Sequence, residues 1–246
     1  MKRLPMVSVL QVVTIFLLVV AIFLLALPYF VGSPTKGILS AENSSVVLVT
    51  KGKHGNDIAY ASGVRLNDKF VLSCAHIFEN GEFVFLEGEK LHVVGVDAKD
   101  DLALFKVNTN RKTMEDLEIA QSVFPFDDLY DCSNANSRQG TLNRYLVKRH
   151  NGSSLDIDKP VIPGESGAGL FNSRGQLSGI ATGGYEIPYA HQPDPKRPTY
   201  FATYGTATSP EAVRSFLGKI RDRDFESYYS KVVVQNWFDR IMWRFY

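Results

Sequence analysis

The apolar positions at the start of the chain form one unbroken run. From Pro5 to Val31 no residue is charged, and most are Val, Ile, Leu, Phe or Ala. A helix rises about 1.5 Å per residue, so a run of this length crosses the roughly 30 Å hydrocarbon layer of a bilayer. Lys2 and Arg3 precede it, and the first charge after it is Lys36. The positive-inside rule therefore places the N-terminus in the cytoplasm and everything after Gly32 on the far, periplasmic or extracellular, side. A cleaved signal peptide is the alternative, but its apolar region spans only about 7–15 residues, and Leu27–Ser33 shows no small-x-small cleavage site. The expectation is an uncleaved, single-pass anchor. Residues 1–31 read as cytoplasmic terminus plus anchor, with membrane contact through residues 6–31. Residues 32–40, which include Gly32-Ser33-Pro34-Thr35-Lys36-Gly37, read as a polar linker.

Beyond residue 40 the pattern changes to short β-type runs between turn signals. These are Ser45–Lys51, Gly63–Leu66, Lys69–Ser73, Glu82–Leu86, Lys90–Val96, Leu102–Val107, Arg144–Lys148, Gly167–Phe171, Gln176–Ala181 and Tyr200–Thr203. Their spacing, near 8–12 residues, favours an all-β barrel or sandwich over alternating βα units. One helix is well signalled, with Ser209 as N-cap, Pro210 at its first position, and Gly218 near its end. A domain over residues 41–220 is expected, followed by a tail, residues 221–246, dense in aromatic and basic side chains. That tail either packs on the domain or touches the bilayer headgroups.

Composition narrows the function. The 27 Lys and Arg balance 26 Asp and Glu, a formal net charge of +1, so nothing points to nucleic acid as a partner. Two cysteines, Cys74 and Cys132, are too few for a disulfide scaffold or a four-cysteine zinc site, and whether they pair is left open. The five histidines are scattered without an H-E-x-x-H pattern, so no metal and no other cofactor is expected.

Three segments carry the candidate chemistry. In Pro163-Gly164-Glu165-Ser166-Gly167-Ala168-Gly169-Leu170, small neighbours leave the Ser166 hydroxyl open and let main-chain N–H groups converge on an oxyanion. A serine needs a base, and Val71-Leu72-Ser73-Cys74-Ala75-His76 offers one at the end of an apolar strand. In Asp97-Ala98-Lys99-Asp100-Asp101-Leu102-Ala103-Leu104 an acid stands at the mouth of another strand, placed to orient an imidazole. The order His, Asp, Ser excludes an α/β-hydrolase, whose order is Ser, acid, His. That elbow also needs Gly where this chain has Ala168.

Together these segments resemble the trypsin-like, chymotrypsin-fold serine proteases, and most closely the HtrA (Deg) protease domain. Leu72–His76 is similar to that family's histidine motif, Asp101-Leu102-Ala103-Leu104 to its aspartate motif, and Gly164–Leu170 to its serine motif. The resemblance extends through Asn172–Ile180 and to the Ser209–Leu217 helix. It implies a double β-barrel with a closing helix, and a serine endopeptidase acting on protein or peptide substrates through an acyl-enzyme. Ser166 would be the nucleophile, His76 the general base, and Asp101, in preference to Asp100, the orienting carboxylate. The N–H groups of Gly164 and Ser166 would form the oxyanion hole. Pro160 and Val161, with Thr182, Gly183 and Gly184, would line the primary specificity pocket. This pocket carries no carboxylate, which favours small or medium apolar residues.

Two departures from the family pattern stand out. Cys74 replaces a usual Ala or Thr and reads as a packing residue, and Glu165 replaces a usual Asn or Asp. With 26 residues after Ile220, no PDZ domain is expected. The rival reading is a membrane-tethered protease fold that has lost activity and binds a partner. Oligomeric state is not legible.

Overall fold

The computed structural model describes residues 13–21, 34–52, 58–108, 116–134, 140–188, 200–222 and 224–225. Residues 13–21 form helix α1, whose large apolar side chains, from Val13 to Val20, are all exposed. Among the described residues no helix is long and apolar enough to cross a membrane. The rest of the Pro5–Val31 run lies outside them.

The linker expected over residues 32–40 is a helix from Pro34 onward, α2 (Pro34–Ser44). Proline suits the first turn, where its missing N–H leaves no bond unmade. Gly37 and Ala41, one turn apart, face inward and are buried. A Cβ on Gly37 would lie 2.6 Å from Asn172 O and 2.9 Å from the Tyr130 ring. The polar composition hid this contact, because the residues that α2 buries, Gly37, Ala41 and Ser44, are all small.

Two β-layers follow. The first is a seven-stranded sheet of β1 (Ser45–Lys51), β2 (Ile58–Arg65), β3 (Phe70–Ser73), β4 (Phe83–Leu86), β5 (Glu89–Lys90), β6 (His92–Asp97) and β7 (Leu102–Lys106). Its spatial order is β5-β4-β1-β2-β3-β7-β6. The second contains β8 (Asp128–Ser133), β9 (Thr141–Asn151), β10 (Ser154–Ile157), β11 (Gly169–Phe171), β12 (Leu177–Pro188) and β13 (Tyr200–Thr208). These close as a barrel in the order β10-β13-β12-β11-β8-β9.

The expected double barrel is thus one barrel and one half-barrel. The first sheet is open, with β5 and β6 at its two edges and the Leu91 N–H between them taken by Val84 O. Strands β8 and β10 escaped the sequence pattern because acidic residues, Asp128, Asp131 and Asp156, interrupt their apolar positions.

Alternation explains the burial. In β1 every second residue turns inward, so Val46 and Leu48 join Val71, Ala103 and Phe105 inside the first sheet. Leu129, Val147, Leu155, Ile157 and Leu170 fill the barrel. A third cluster lies between the layers, where Phe70, Leu72 and Leu104 meet Phe171, Leu177 and Ile180. Helix α3 (Pro210–Leu217) seals that cluster with Val213, Phe216 and Leu217. Its N-cap is as expected, with Ser209 Oγ accepting the Ala212 N–H at 3.3 Å.

Just past residue 220 the described chain still packs on the domain. Phe225 is fully buried, edge-on to Phe70 at 5.0 Å, a pairing worth about 0.5–1.5 kcal/mol beyond its area. Lys106 Nζ reaches Asp222 at 3.1 Å and Asp224 at 2.9 Å. The start of the tail therefore belongs to the fold, and residues 226–246 lie outside those described.

Candidate active site

The three candidate segments converge at the junction of the two layers. His76 lies in a short 3₁₀ helix (Ala75–Asn80) that begins just past β3. Asp101 ends the turn before β7, with φ of 52°, a left-handed conformation that Asp tolerates better than most residues. Asp97 builds that turn by accepting the N–H groups of Lys99 and Asp100 at 3.1 and 3.3 Å. Ser166 comes from the barrel, in the loop before β11.

His76 Nδ1 and Asp101 Oδ2 are 2.7 Å apart. Asp101 Oδ1 accepts the main-chain N–H groups of Ala75 and His76 at 2.9 and 2.8 Å. The carboxylate is thus fixed to the backbone that carries the histidine, so ring and acid move as one unit. Asp100 does not share this bond; its carbonyl accepts the Thr208 hydroxyl at 2.7 Å. The bond to Asp101, then the contact with Cys74, push the imidazole up to about 10, against the effect of burial. Cys74 Sγ lies 3.6 Å from His76 Nε2, and burial pushes this thiol up. Cys74 and Cys132 are both free thiols.

The nucleophile loop is shaped by a turn. Glu165 N–H donates to Ile162 O at 3.0 Å, with Pro163 and Gly164 between them and Gly164 at φ 94°. Proline followed by a positive-φ glycine is a type II turn. Among the described residues the N–H groups of Gly164 and Ser166 donate to no acceptor. Two uncommitted donors beside a serine hydroxyl can bind a developing oxyanion. Ser166 Oγ is 3.5 Å from Thr182 O, and no hydrogen bond joins Ser166 to His76 among the described residues. Gly184, on the same strand as Thr182, is exposed and faces Pro160, whose Cβ would lie 3.7 Å from a Cβ there. Val161 packs partly on the barrel interior.

Residues 61–180 match the family model of the trypsin-like peptidase domain. The chain carries a trypsin-like peptidase domain. The probable periplasmic serine endoprotease DegP-like of Halomonas elongata is 29% identical over 126 residues, which cover 46% of this chain and 27% of that protein. The match thus spans about a quarter of that relative. Among solved structures, the HtrA-type protease AlgW, as a variant with a tripeptide, superposes with a TM-score of 0.61 at 17% identity, covering 77% of this chain and 64% of its own. The serine endoprotease of Yersinia pestis gives 0.58 at 18%, covering 75% and 65%. A protease of M. tuberculosis in its active form gives 0.56 at 18%, covering 78% and 86%. At these identities the structures speak for the fold.

Sequence reasoning missed the residues that brace the candidate site. Ser62, fully buried on β2, donates its N–H to Ser166 O at 2.9 Å and its hydroxyl to Gly164 O at 2.7 Å. It thereby ties the barrel loop to the first sheet. Ser73 donates to Ser62 O at 2.7 Å. Glu165 is buried, accepting Ile162 N–H at 2.8 Å, Asn143 Nδ2 at 3.0 Å and the Tyr145 hydroxyl at 3.4 Å. Asn143 and Tyr145 also reach Asp131, at 2.9 and 3.3 Å. Isolated Ser, Asn and Tyr positions in strands give no signal that could have found them.

Gly167 tests this bracing. Its φ is 87°, and a Cβ there would collide with Ser73 Oγ and Ser62 O. Gly167→Ala is expected to cost about 3 kcal/mol through strain plus overlap. A domain of this size would then lose roughly 6–12 °C of melting temperature, measurable by thermal unfolding.

Proposed function

We propose that this chain is a membrane-anchored serine endopeptidase that works through an acyl-enzyme at Ser166. The observation that carries the reading is the 2.7 Å His76–Asp101 bond, backed by two main-chain donors, beside a serine loop with two N–H groups that donate to no acceptor among the described residues. In the reaction Ser166 Oγ leaves Thr182 O, passes its proton to His76 Nε2 and attacks the substrate carbonyl carbon. The carbonyl oxygen becomes an oxyanion held by Gly164 and Ser166 N–H. His76 returns the proton to the departing amine, and water repeats the sequence to release the acid and restore Ser166. Asp101 keeps the proton of Nδ1 on the far side of the ring and stabilises the imidazolium.

The pocket lined by Pro160, Val161, Thr182, Gly183 and Gly184 offers no carboxylate. A Lys or Arg side chain entering it would leave a charge unpaired, so cleavage after small or medium apolar residues is expected. Digestion of a denatured protein, with new termini read by mass spectrometry, tests this. The neutral imidazole is the form that accepts a proton, so the rate should climb with pH. Termini dominated by Lys or Arg would refute the pocket assignment.

The exposed apolar surface of α1 supports an anchor, since a contiguous face of this kind is rare on a protein surrounded by water. With Lys2 and Arg3 on the cytoplasmic side, protease added to spheroplasts should digest the domain without lysis. Protection until the membrane is broken would reverse the orientation.

A second reading, an inactive module that binds a partner, draws on one observation. His76 Nε2 faces Cys74 Sγ, and Ser166 has its own contact at Thr182. Cleavage by the wild-type chain that is lost in Ser166→Ala would exclude it.

A further inference from the structure

We propose that Cys74 and His76 form a binding site for a thiophilic divalent metal ion, typified by Zn²⁺, which switches the peptidase off reversibly. The inhibitory consequence rests on His76 acting as the base; the binding itself does not.

The geometry of the donor pair carries the proposal. A tetrahedral zinc ion with a Zn–S bond of about 2.3 Å and a Zn–N bond of about 2.05 Å sets its sulfur and nitrogen about 3.5 Å apart. Cys74 Sγ and His76 Nε2 stand at 3.6 Å. Both donors therefore already stand at the spacing that one ion requires.

The surroundings of the ring fit as well. A metal-binding imidazole ordinarily gives its other nitrogen to a carboxylate, which fixes its orientation and raises its basicity. His76 Nδ1 does so with Asp101 at 2.7 Å. Cys74, His76 and Asp101 each place a ligand-type atom within 4.8 Å of the others. Asp101 is held by two main-chain N–H groups and the ring, so its role is support, and the ion draws on sulfur and nitrogen. Cys74 is buried, while the His76 side chain is 30% exposed, so the ion enters along the imidazole. On binding, the thiol and the Nε2 N–H of the imidazolium each release a proton to solvent, and the thiolate and the neutral imidazole become the ligands.

Two protein donors leave two positions for water, which makes a reversible inhibitory site and not a structural one. An ion on Nε2 occupies the lone pair that must accept the Ser166 proton.

The test uses the full chain in detergent with Co²⁺ as the probe. Co²⁺ should produce a thiolate-to-cobalt charge-transfer band, and Zn²⁺ should abolish it by displacement. Cys132→Ser should keep the band, and Cys74→Ala should lose it. Cys74→Ser, which retains the shape of the side chain, guards against a packing defect and should also lose it. In cleavage assays Zn²⁺ should inhibit the wild-type chain, a chelator should restore it, and both Cys74 variants should need at least about tenfold more Zn²⁺. A wild-type chain without the band, or a band that survives in both Cys74 variants, overturns the site and leaves only a thiol–imidazole contact. A band in a chain that cleaves nothing would uphold the site while removing the peptidase reading.

Discussion

Replacing Ser166 by Ala is expected to abolish nearly all cleavage, with a loss of about 10³-fold or more, and to leave the fold intact. The expectation follows from the separation of the reactive atom from the bracing. The loop is held by its backbone, through Ser62 N–H on Ser166 O and Gly167 N–H on Ala181 O. Among the described residues the Ser166 hydroxyl has only its 3.5 Å contact with Thr182 O, so Ala removes little that holds the chain together. His76→Ala should cost as much activity, because the hydroxyl is inert without a base. The double variant should be scarcely worse than either single one, since such groups act as a unit. Rates from purified variants, with thermal unfolding alongside, check both halves. Multiplying losses would mean that the two residues act independently.

The buried acid pair behind the oxyanion turn carries the second large effect, with opposite signs for its two members. Burial, then the charge of Glu165, raise Asp131 to about 7, although hydrogen bonds from Asn143 and Tyr145 work the other way. Burial also raises Glu165. An acid whose folded value lies above its unfolded one binds more protons when folded. Its ionisation therefore destabilises: the penalty is absent below about pH 4, grows towards pH 7 and is complete above it. The rise from 3.8 to about 7 corresponds to a penalty on the order of 4 kcal/mol at most. Asp131→Asn, which keeps the shape, should flatten the pH dependence of stability and raise the melting temperature at pH 8.

Glu165→Ala should do the reverse. It strips partners from Ile162 N–H, Asn143 and Tyr145 in a buried site, at a cost of about 1–3 kcal/mol for the groups left unsatisfied. It also releases the turn that presents Gly164 N–H, and losing one such donor costs about 10²–10³ in kcat. Thermal unfolding from pH 5 to 8, together with kcat for both variants, separates these signs. If both variants lose stability equally at pH 8, the pair is not strained by its charges.

The legible parts of this molecule were those written in local patterns. Ser45–Lys51 alternates cleanly and is a strand over those very residues. Ser209 and Pro210 announced α3, and the three motif segments could be found because each sets reactive residues among small or apolar neighbours. What stayed hidden depends on contacts distant in sequence. Ser62 is 104 positions before Ser166, and nothing around it marks a clamp. Helix α2 looked like a linker because its contact rests on the small residues Gly37, Ala41 and Ser44 in an otherwise polar segment. Strand β8 was masked by Asp131, whose burial makes sense only with Asn143, Tyr145 and Glu165 around it. The placement of Cys74 against His76 Nε2 was equally illegible, since the strand pattern alone gives it as packing.

A serine-directed fluorophosphonate probe applied to the full-length chain tests the central claim most directly. The probe reacts with a serine hydroxyl only where a base activates it and an oxyanion site receives the phosphoryl oxygen. The account predicts one adduct, located on Ser166 by mass spectrometry, and its absence from both Ser166→Ala and His76→Ala. A folded wild-type chain that takes no label at Ser166, or a His76→Ala chain labelled at the wild-type rate, would contradict it.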